Sequence, residues 1–202
     1  MVKTSPLDKL TDTIFGFALA VGALSLTVRN AQNQSEVITG IFIFGLSFVI
    51  LIVIWWGHHD LTTYIDTNKP RTIFLNIVLL FFVAIEPYLL NTLNADFALF
   101  SFTSTLYAVD MAFLMGISAF LAHILVQENQ GKLPDTQLKS YRLSRNAQTV
   151  FAGLFLFSVL PQFLTWRFLN MPVRVFLWFV TLALAIITSV KKRRNPDGAS
   201  TR

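Results

Sequence analysis

Long apolar stretches alternate with short polar ones along the whole chain. The apolar stretches cover about residues 10–28, 37–56, 72–93, 97–126, 147–164 and 173–190. A helix of about 20 apolar residues is long enough to cross the hydrocarbon core of a bilayer. β-Strands are usually only about 5–6 residues long, so strands do not explain stretches of this length. The pattern predicts an all-α, polytopic membrane protein with six transmembrane helices.

The polar stretches between the predicted spans are short, except for one. They cover residues 29–36 and 57–71, and the longest loop is predicted at 127–146. Pro87 lies inside the third span, where the ring removes a backbone donor and predicts a kink or an end of the helix. The fourth span exceeds the length needed to cross the bilayer, so we expect it to tilt or to project.

Composition supports a membrane protein and argues against several other classes. Hydrophobic residues make up 54% of the chain and charged residues only 13%, about half the charged fraction of a soluble domain. The absence of cysteine excludes disulfides and thiolate metal sites. We find no phosphate-binding loop, dinucleotide fingerprint or nucleophile–base arrangement. We therefore expect no enzymatic activity, no cofactor, no metal site and no nucleic-acid partner.

The positions of the basic residues predict the orientation in the membrane. With both termini cytoplasmic, thirteen of the sixteen Lys and Arg residues lie on the inner side, as the positive-inside rule requires. The three on the outer side are Arg29, Arg167 and Arg174. We expect residues 1–194 to form a single six-helix domain and residues 195–202 to form a disordered polar tail. The first helix has no following cleavage site and is expected to be retained.

Four polar residues are predicted to meet at one depth in the membrane. Asp12 lies at the inner end of the first span, Trp55 and His58 at the inner end of the second, and Asn76 near the inner end of the third. An acid inside a spanning helix is costly and usually has a partner. These groups can satisfy one another, although separate hydration of each residue at the interface is an alternative interpretation.

The first helix has an apolar stripe that points away from Asp12. At about 100° per residue, one stripe contains small and large apolar residues, and Asp12 lies about 140° from Phe17. If the stripe lines a pore, Asp12 anchors the helix to its neighbours. The alternative is that the stripe faces lipid or another helix. Its members are Thr13, Phe17, Ala20, Val21, Leu24 and Val28.

Several of these residues form an ordered set of motifs. Trp55 and His58 end the second span with a Trp-x-x-His pattern, and Asn76 is followed eleven residues later by Pro87. In these features the chain resembles the transmembrane protein 175 family, prokaryotic and lysosomal potassium channels without the usual selectivity-filter loop. The Phe-Ser-Asp motif of that family corresponds to Leu10-Thr11-Asp12 here. The arginine of the motif is replaced by Pro6.

The resemblance implies a potassium-preferring cation channel in the plasma membrane of a prokaryote. It implies a homotetramer in a lipid bilayer, with potassium as the permeant ion and the first helices around the central pore. The implied constriction is formed by Phe17, Val21 and Leu24, flanked by the pore-lining residues Thr13, Ala20 and Val28. The implied helix-anchoring network consists of Thr11, Asp12, Trp55, His58 and Asn76.

Two further intramembrane acids leave an alternative function open. Asp110 lies in the fourth span, and we expect it to pair with a neighbouring helix. Glu86 lies near the outer end of the third span, and we expect it to be solvated at the interface. If these acids instead bind and release protons, the protein is a proton-coupled secondary transporter. The absence of an internal repeat and the location of the prolines near span ends favour the channel.

Overall fold

The computed structural model describes residues 6–28, 34–93, 97–168 and 171–194, and this part of the chain is mostly helical. The predicted tail, residues 195–202, lies outside the described residues. Within these ranges, seven helices and two short strands follow one another. They are α1 (Pro6–Val28), α2 (Gln34–Thr62), α3 (Pro70–Thr92), α4 (Phe97–Glu128), α5 (Asp135–Phe157), α6 (Gln162–Thr165), β1 (Arg167–Phe168), β2 (Met171–Pro172) and α7 (Val173–Arg194).

The helices do not all end where the apolar pattern ends. α2 continues to Thr62, through residues that were predicted to form a loop. α5 begins at Asp135, inside the predicted loop 127–146, and ends at Phe157, before the predicted end at 164. Polar residues such as Gln, Lys and Arg are good helix formers, so a change in hydropathy does not mark the end of a helix. The length of a helix therefore does not equal the length of its part inside the membrane.

The segment between α5 and α7 is not a simple loop. α6 is a single turn, and β1 and β2 form an antiparallel pair with Phe168 opposite Met171. This pair is a departure from the all-helical prediction. It is too short to have left a recognisable alternation in the sequence.

Three of the described helices are long and apolar enough to cross a membrane. They are the segments Glu36–Thr62, Pro70–Thr92 and Leu99–Glu128, and Val173–Ile187 is a shorter apolar helix. α3 continues through Pro87 to Thr92, so this proline does not end the helix.

Contacts between helix ends indicate an antiparallel bundle. Lys69, at the start of α3, forms a salt bridge of 2.5 Å with Glu128 at the end of α4. The Arg71 guanidinium lies 4.6 Å from the centre of the Phe120 ring, again joining the start of α3 to the end of α4. At the opposite end, the start of α7 contacts the end of α5 through Arg174 and Ser158.

α4 lies at the centre of the described bundle. About two thirds of its most apolar segment is buried (67%), against 28% for α2. The fully buried side chains of α4 include Tyr107, Met111, Leu114 and Leu121. α4 therefore forms the core that the other helices cover, whereas α2 presents much of its surface outward.

Candidate pore helix and the residues that position it

One face of α1 packs against the rest of the bundle. Thr11, Phe15, Ala18 and Gly22 are buried on this face, and α1 contacts both α2 and α3. Gly22 lies beside Pro87, since a Cβ added to this glycine would be 3.5 Å from the Pro87 Cβ. The spacing of three and four residues is that of one helix face.

The opposite face of α1 is turned away from the rest of the described protomer. Phe17 is 63% exposed and Leu24 is 61% exposed, and Thr13 and Ala20 on the same face are also exposed. Val21 is half-buried, at the border between the two faces. The Val28 side chain lies outside the described part. The predicted stripe therefore lies largely on the outward face of the protomer.

The outward face of α1 differs in composition from that of α2. The small residues Gly16, Ala20 and Ala23 are exposed beside Phe17 and Leu24 on α1. The outward face of α2 is formed by large apolar side chains, namely Ile38, Ile41, Phe42, Phe48 and Val49. Large apolar residues suit contact with lipid chains, whereas small residues allow helices to approach closely. α1 thus has a surface suited to other helices or to a narrow aqueous path.

Asp12 is fixed to α2 by a direct hydrogen bond. The Trp55 indole Nε1–H donates to Asp12 Oδ1 at 2.9 Å. Asp12 lies on the flank of α1, away from Phe17, and its carboxylate is in an exposed position. The hydrogen bond fixes the rotation of α1 about its axis, because it ties one flank of the helix to a partly buried side chain of α2.

A second pair joins α2 to α3. His58 and Asn76 are both buried, and His58 Nε2 is hydrogen-bonded to Asn76 Oδ1. The Asn76 amide nitrogen donates in turn to the Thr72 carbonyl at 2.7 Å, which orients the amide. The Phe15 ring of α1 lies 6.5 Å from the His58 ring. The pair therefore supports α1 through packing.

The predicted polar layer thus consists of two adjacent pairs, Asp12 with Trp55 and His58 with Asn76. Trp55 and His58 are three residues apart on α2, which places the pairs side by side. Thr11 is buried next to them, but its hydroxyl has no hydrogen-bond partner within the part of the chain that the structure describes.

Arg174 is the main polar residue that sequence reasoning missed. It was counted as an outer surface charge, but only 1% of it is exposed. Its guanidinium donates to the Ser158 and Val159 carbonyls at 2.8 Å each, and to Ser104 Oγ at 2.7 Å. It thus joins α4, the end of α5 and α7. Its place at the start of an apolar stretch was the available signal, because a cation there must find acceptors.

The environments of Glu86 and Asp110 differ from the predicted ones. Glu86 is fully buried, so the prediction of a solvated acid is wrong. Glu86 Oε2 accepts a hydrogen bond of 2.7 Å from Ser47 Oγ on α2. Asp110 is 3% exposed, and neither of its carboxyl oxygens has a hydrogen-bond partner among the described residues. The expected pairing of Asp110 by hydrogen bonding is not observed there.

Comparison with known proteins agrees with these features. Residues 7–87, which span α1, α2 and most of α3, match the model of the family described as "Endosomal/lysosomal potassium channel TMEM175". No curated protein sequence matches the chain at a significant level.

A solved structure extends the comparison to the fold of the remaining helices. It is the crystal structure of a variant of the potassium channel MtTMEM175 in complex with a nanobody–MBP fusion protein. The two chains are 16% identical, with a TM-score of 0.66 over 96% of this chain and 95% of that chain. The motif-based resemblance to the transmembrane protein 175 potassium channel family is therefore confirmed, by sequence over residues 7–87 and by fold over nearly the entire chain.

Proposed function

We propose that the protein is a potassium-preferring cation channel in the plasma membrane of a prokaryote, assembled as a homotetramer. The α1 helices of four protomers line its pore, and Phe17, Val21 and Leu24 form the constriction. The observation that carries this proposal is the exposed, outward face of α1, which combines small residues with Phe17 and Leu24. Assembly around an axis gives this face other copies of itself as neighbours.

The proposed topology has six spans, with both termini in the cytoplasm. α1 and the α5 and α7 regions cross the membrane together with α2, α3 and α4, and residues 1–194 form one domain. A helix that lines a pore contacts less lipid than a peripheral one, so α1 tolerates Asp8, Lys9 and Asp12 in its first turns.

The constriction gates the pore by dewetting. A narrow ring of apolar side chains expels water, and an ion does not cross without its hydration shell. The Phe17 ring is bulky, so we expect a low conductance in the open state. The sequence has no segment for a carbonyl cage, and the preference for potassium is proposed from the family. Thr13, Ala20 and Val28 line the flanks.

The polar pairs act as the support of the pore helix. Asp12 and Trp55 fix the rotation of α1, and His58 with Asn76 supports it from behind, with Thr11 packed beside them. Pro6 replaces the arginine of the family motif, but it opens α1 as its first residue. Proline is favoured at this position because it lacks only a backbone donor that has no partner there.

Reconstitution into liposomes tests the proposal. In a potassium gradient, we expect discrete openings whose current reverses near the potassium equilibrium potential, and a tetramer by native mass spectrometry in detergent. A monomer that gives no openings would contradict the channel. The matched control is an empty liposome preparation made with the same detergent.

A second candidate is a proton-coupled secondary transporter that uses Glu86 and Asp110. The observation in its favour is that both acids are buried inside the helix bundle. Saturable potassium flux that depends on a proton gradient, without discrete openings, would support this candidate and contradict the channel.

A further inference from the structure

A group of buried oxygens lies between α2, α3 and α4, away from the polar pairs that support α1. It consists of Ser47 on α2, Glu86 on α3, and Tyr107 and Asp110 on α4, which we call the acid cluster. All four residues are buried, with Glu86 0%, Tyr107 1% and Asp110 3% exposed. The Phe82 ring of α3 stacks on the Phe113 ring of α4, with the ring centres 4.8 Å apart. Because α3 and α4 are antiparallel, Glu86 and Asp110 each lie one turn from this stack in the same direction, and therefore at the same level.

Most oxygens of the acid cluster are unsatisfied. Among the described residues, the Ser47 hydroxyl donates a hydrogen bond to Glu86 Oε2. Glu86 Oε1, both Asp110 carboxyl oxygens and the Tyr107 hydroxyl have no hydrogen-bond partner within the described ranges. A buried polar group without a partner is costly, and such groups usually have a ligand or a proton that completes them. The Tyr107 hydroxyl is a further unsatisfied oxygen, one turn of α4 away from Asp110.

Within the described helices, no cationic side chain is paired with the acid cluster. Among the described residues, neither Glu86 nor Asp110 forms an ion pair. α1 approaches with the apolar Gly22 beside Pro87. On the α7 side, the Trp178 ring lies 4.9 Å from the Tyr107 ring, and Arg174 donates to carbonyls and hydroxyls.

Two ionised carboxylates in this setting would be strongly unfavourable. Burial of one unpaired charge costs several kcal/mol, and two carboxyl groups that share a site do not both ionise readily. A bound metal cation would relieve the repulsion, but hard cations such as calcium take about six or more oxygen ligands. The cluster offers four free oxygens. A proton needs only one oxygen to hold it and one to accept its hydrogen bond.

We propose that Glu86 and Asp110 form a proton-binding pair in which at least one carboxyl group holds a proton at neutral pH. The proton removes the charge of the buried acid, so that no added ion is needed to neutralise it. Glu86 precedes Pro87, which contacts Gly22 of α1. Glu86 therefore lies close to the second half of α1. Its influence on the pore rests on the proposed function, but the binding of the proton does not.

Infrared spectroscopy of the purified full-length protein tests the proton directly. We expect the carbonyl band of a protonated carboxylic acid at neutral pH, and loss of this band in the double variant Glu86→Gln/Asp110→Asn. The matched control is Asp135→Asn, at the exposed start of α5, which should keep the band. The amides are nearly isosteric with the acids, and helix content by circular dichroism checks folding.

Two outcomes would overturn the pair. One is the absence of any protonated-acid band in the unmodified protein at neutral pH, a measurement that requires no variant to fold. The other is a band that persists in the folded double variant. Failure of the channel in liposomes would leave both results unchanged, so the proton pair and the proposed function are tested separately.

Discussion

The two halves of the bundle are held together by different kinds of polar contact. In α1 to α3, the hydrogen bonds join one specific side chain to another, Trp55 to Asp12 and His58 to Asn76. In α4 to α7, one side chain, Arg174, binds the backbone carbonyls of Ser158 and Val159 in addition to the hydroxyls of Ser104 and Thr105. A hydrogen bond between two side chains requires a particular residue at both positions, whereas any residue supplies a backbone carbonyl.

This difference explains why the halves are recognised in different ways. The family match covers residues 7–87, the half with paired side chains. The structural match covers 96% of the chain at 16% identity. The contacts of Arg174 with backbone carbonyls constrain only the arginine, so this part of the network leaves a weak trace in the sequence although the fold is retained.

The largest effect is expected from Arg174→Met. Loss of the guanidinium leaves two buried carbonyls and the Ser104 hydroxyl without their donor. Each unsatisfied group costs about 1–3 kcal/mol, so we expect a loss of about 3 kcal/mol or more in the free energy of unfolding, measured by denaturant titration in detergent.

Arg167→Met is the matched control for Arg174, because Arg167 is exposed in β1 and should tolerate the change. Equal stability of the two variants would show that the guanidinium does not hold the second half together.

A smaller loss is expected from Asn76→Ala. His58 then remains buried without its amide partner, which costs about 1–3 kcal/mol. A double-mutant cycle with His58→Ala should give a coupling energy of about 0.5–3 kcal/mol. Strictly additive effects in the same denaturant titration would mean that the two residues act independently.

The smallest loss is expected from Trp55→Phe. The indole donor to Asp12 is removed, but the carboxylate is exposed and regains water. We expect about 0.5–1 kcal/mol, and a similar loss in Asp12→Asn with no further loss in the double variant. A change in ion preference at unchanged stability would instead place Asp12 in the conduction path.

The sequence predicted some parts of the structure better than others. The apolar stretches predicted α2, α3 and α4, and the positions of Asp12, Trp55, His58 and Asn76 predicted that polar groups would meet near one end of the first three helices. The polar first half of α5 and the extension of α2 to Thr62 were missed, because hydropathy reports burial in lipid and does not report helical structure.

The buried acids were predicted least well. Glu86 was expected in water because it precedes a proline near a span end, yet it is fully buried against Ser47. Its location depends on how α2, α3 and α4 pack, and a single sequence gives no information on the partner of a lone acid. The same holds for Arg174, because two of its acceptors are backbone carbonyls that carry no sequence signal.

The most direct test of the proposed pore is potassium efflux from liposomes. The efflux is compared between variants of the outward face of α1 and a variant of the outward face of α2. If Leu24→Ala and Val21→Ala each lower the hydration barrier by about 1.4 kcal/mol, efflux rises about tenfold. Phe42→Ala, on the outward face of α2, should leave efflux unchanged. Unchanged efflux in both α1 variants, or an equal rise in Phe42→Ala, would contradict the assignment of α1 to the pore.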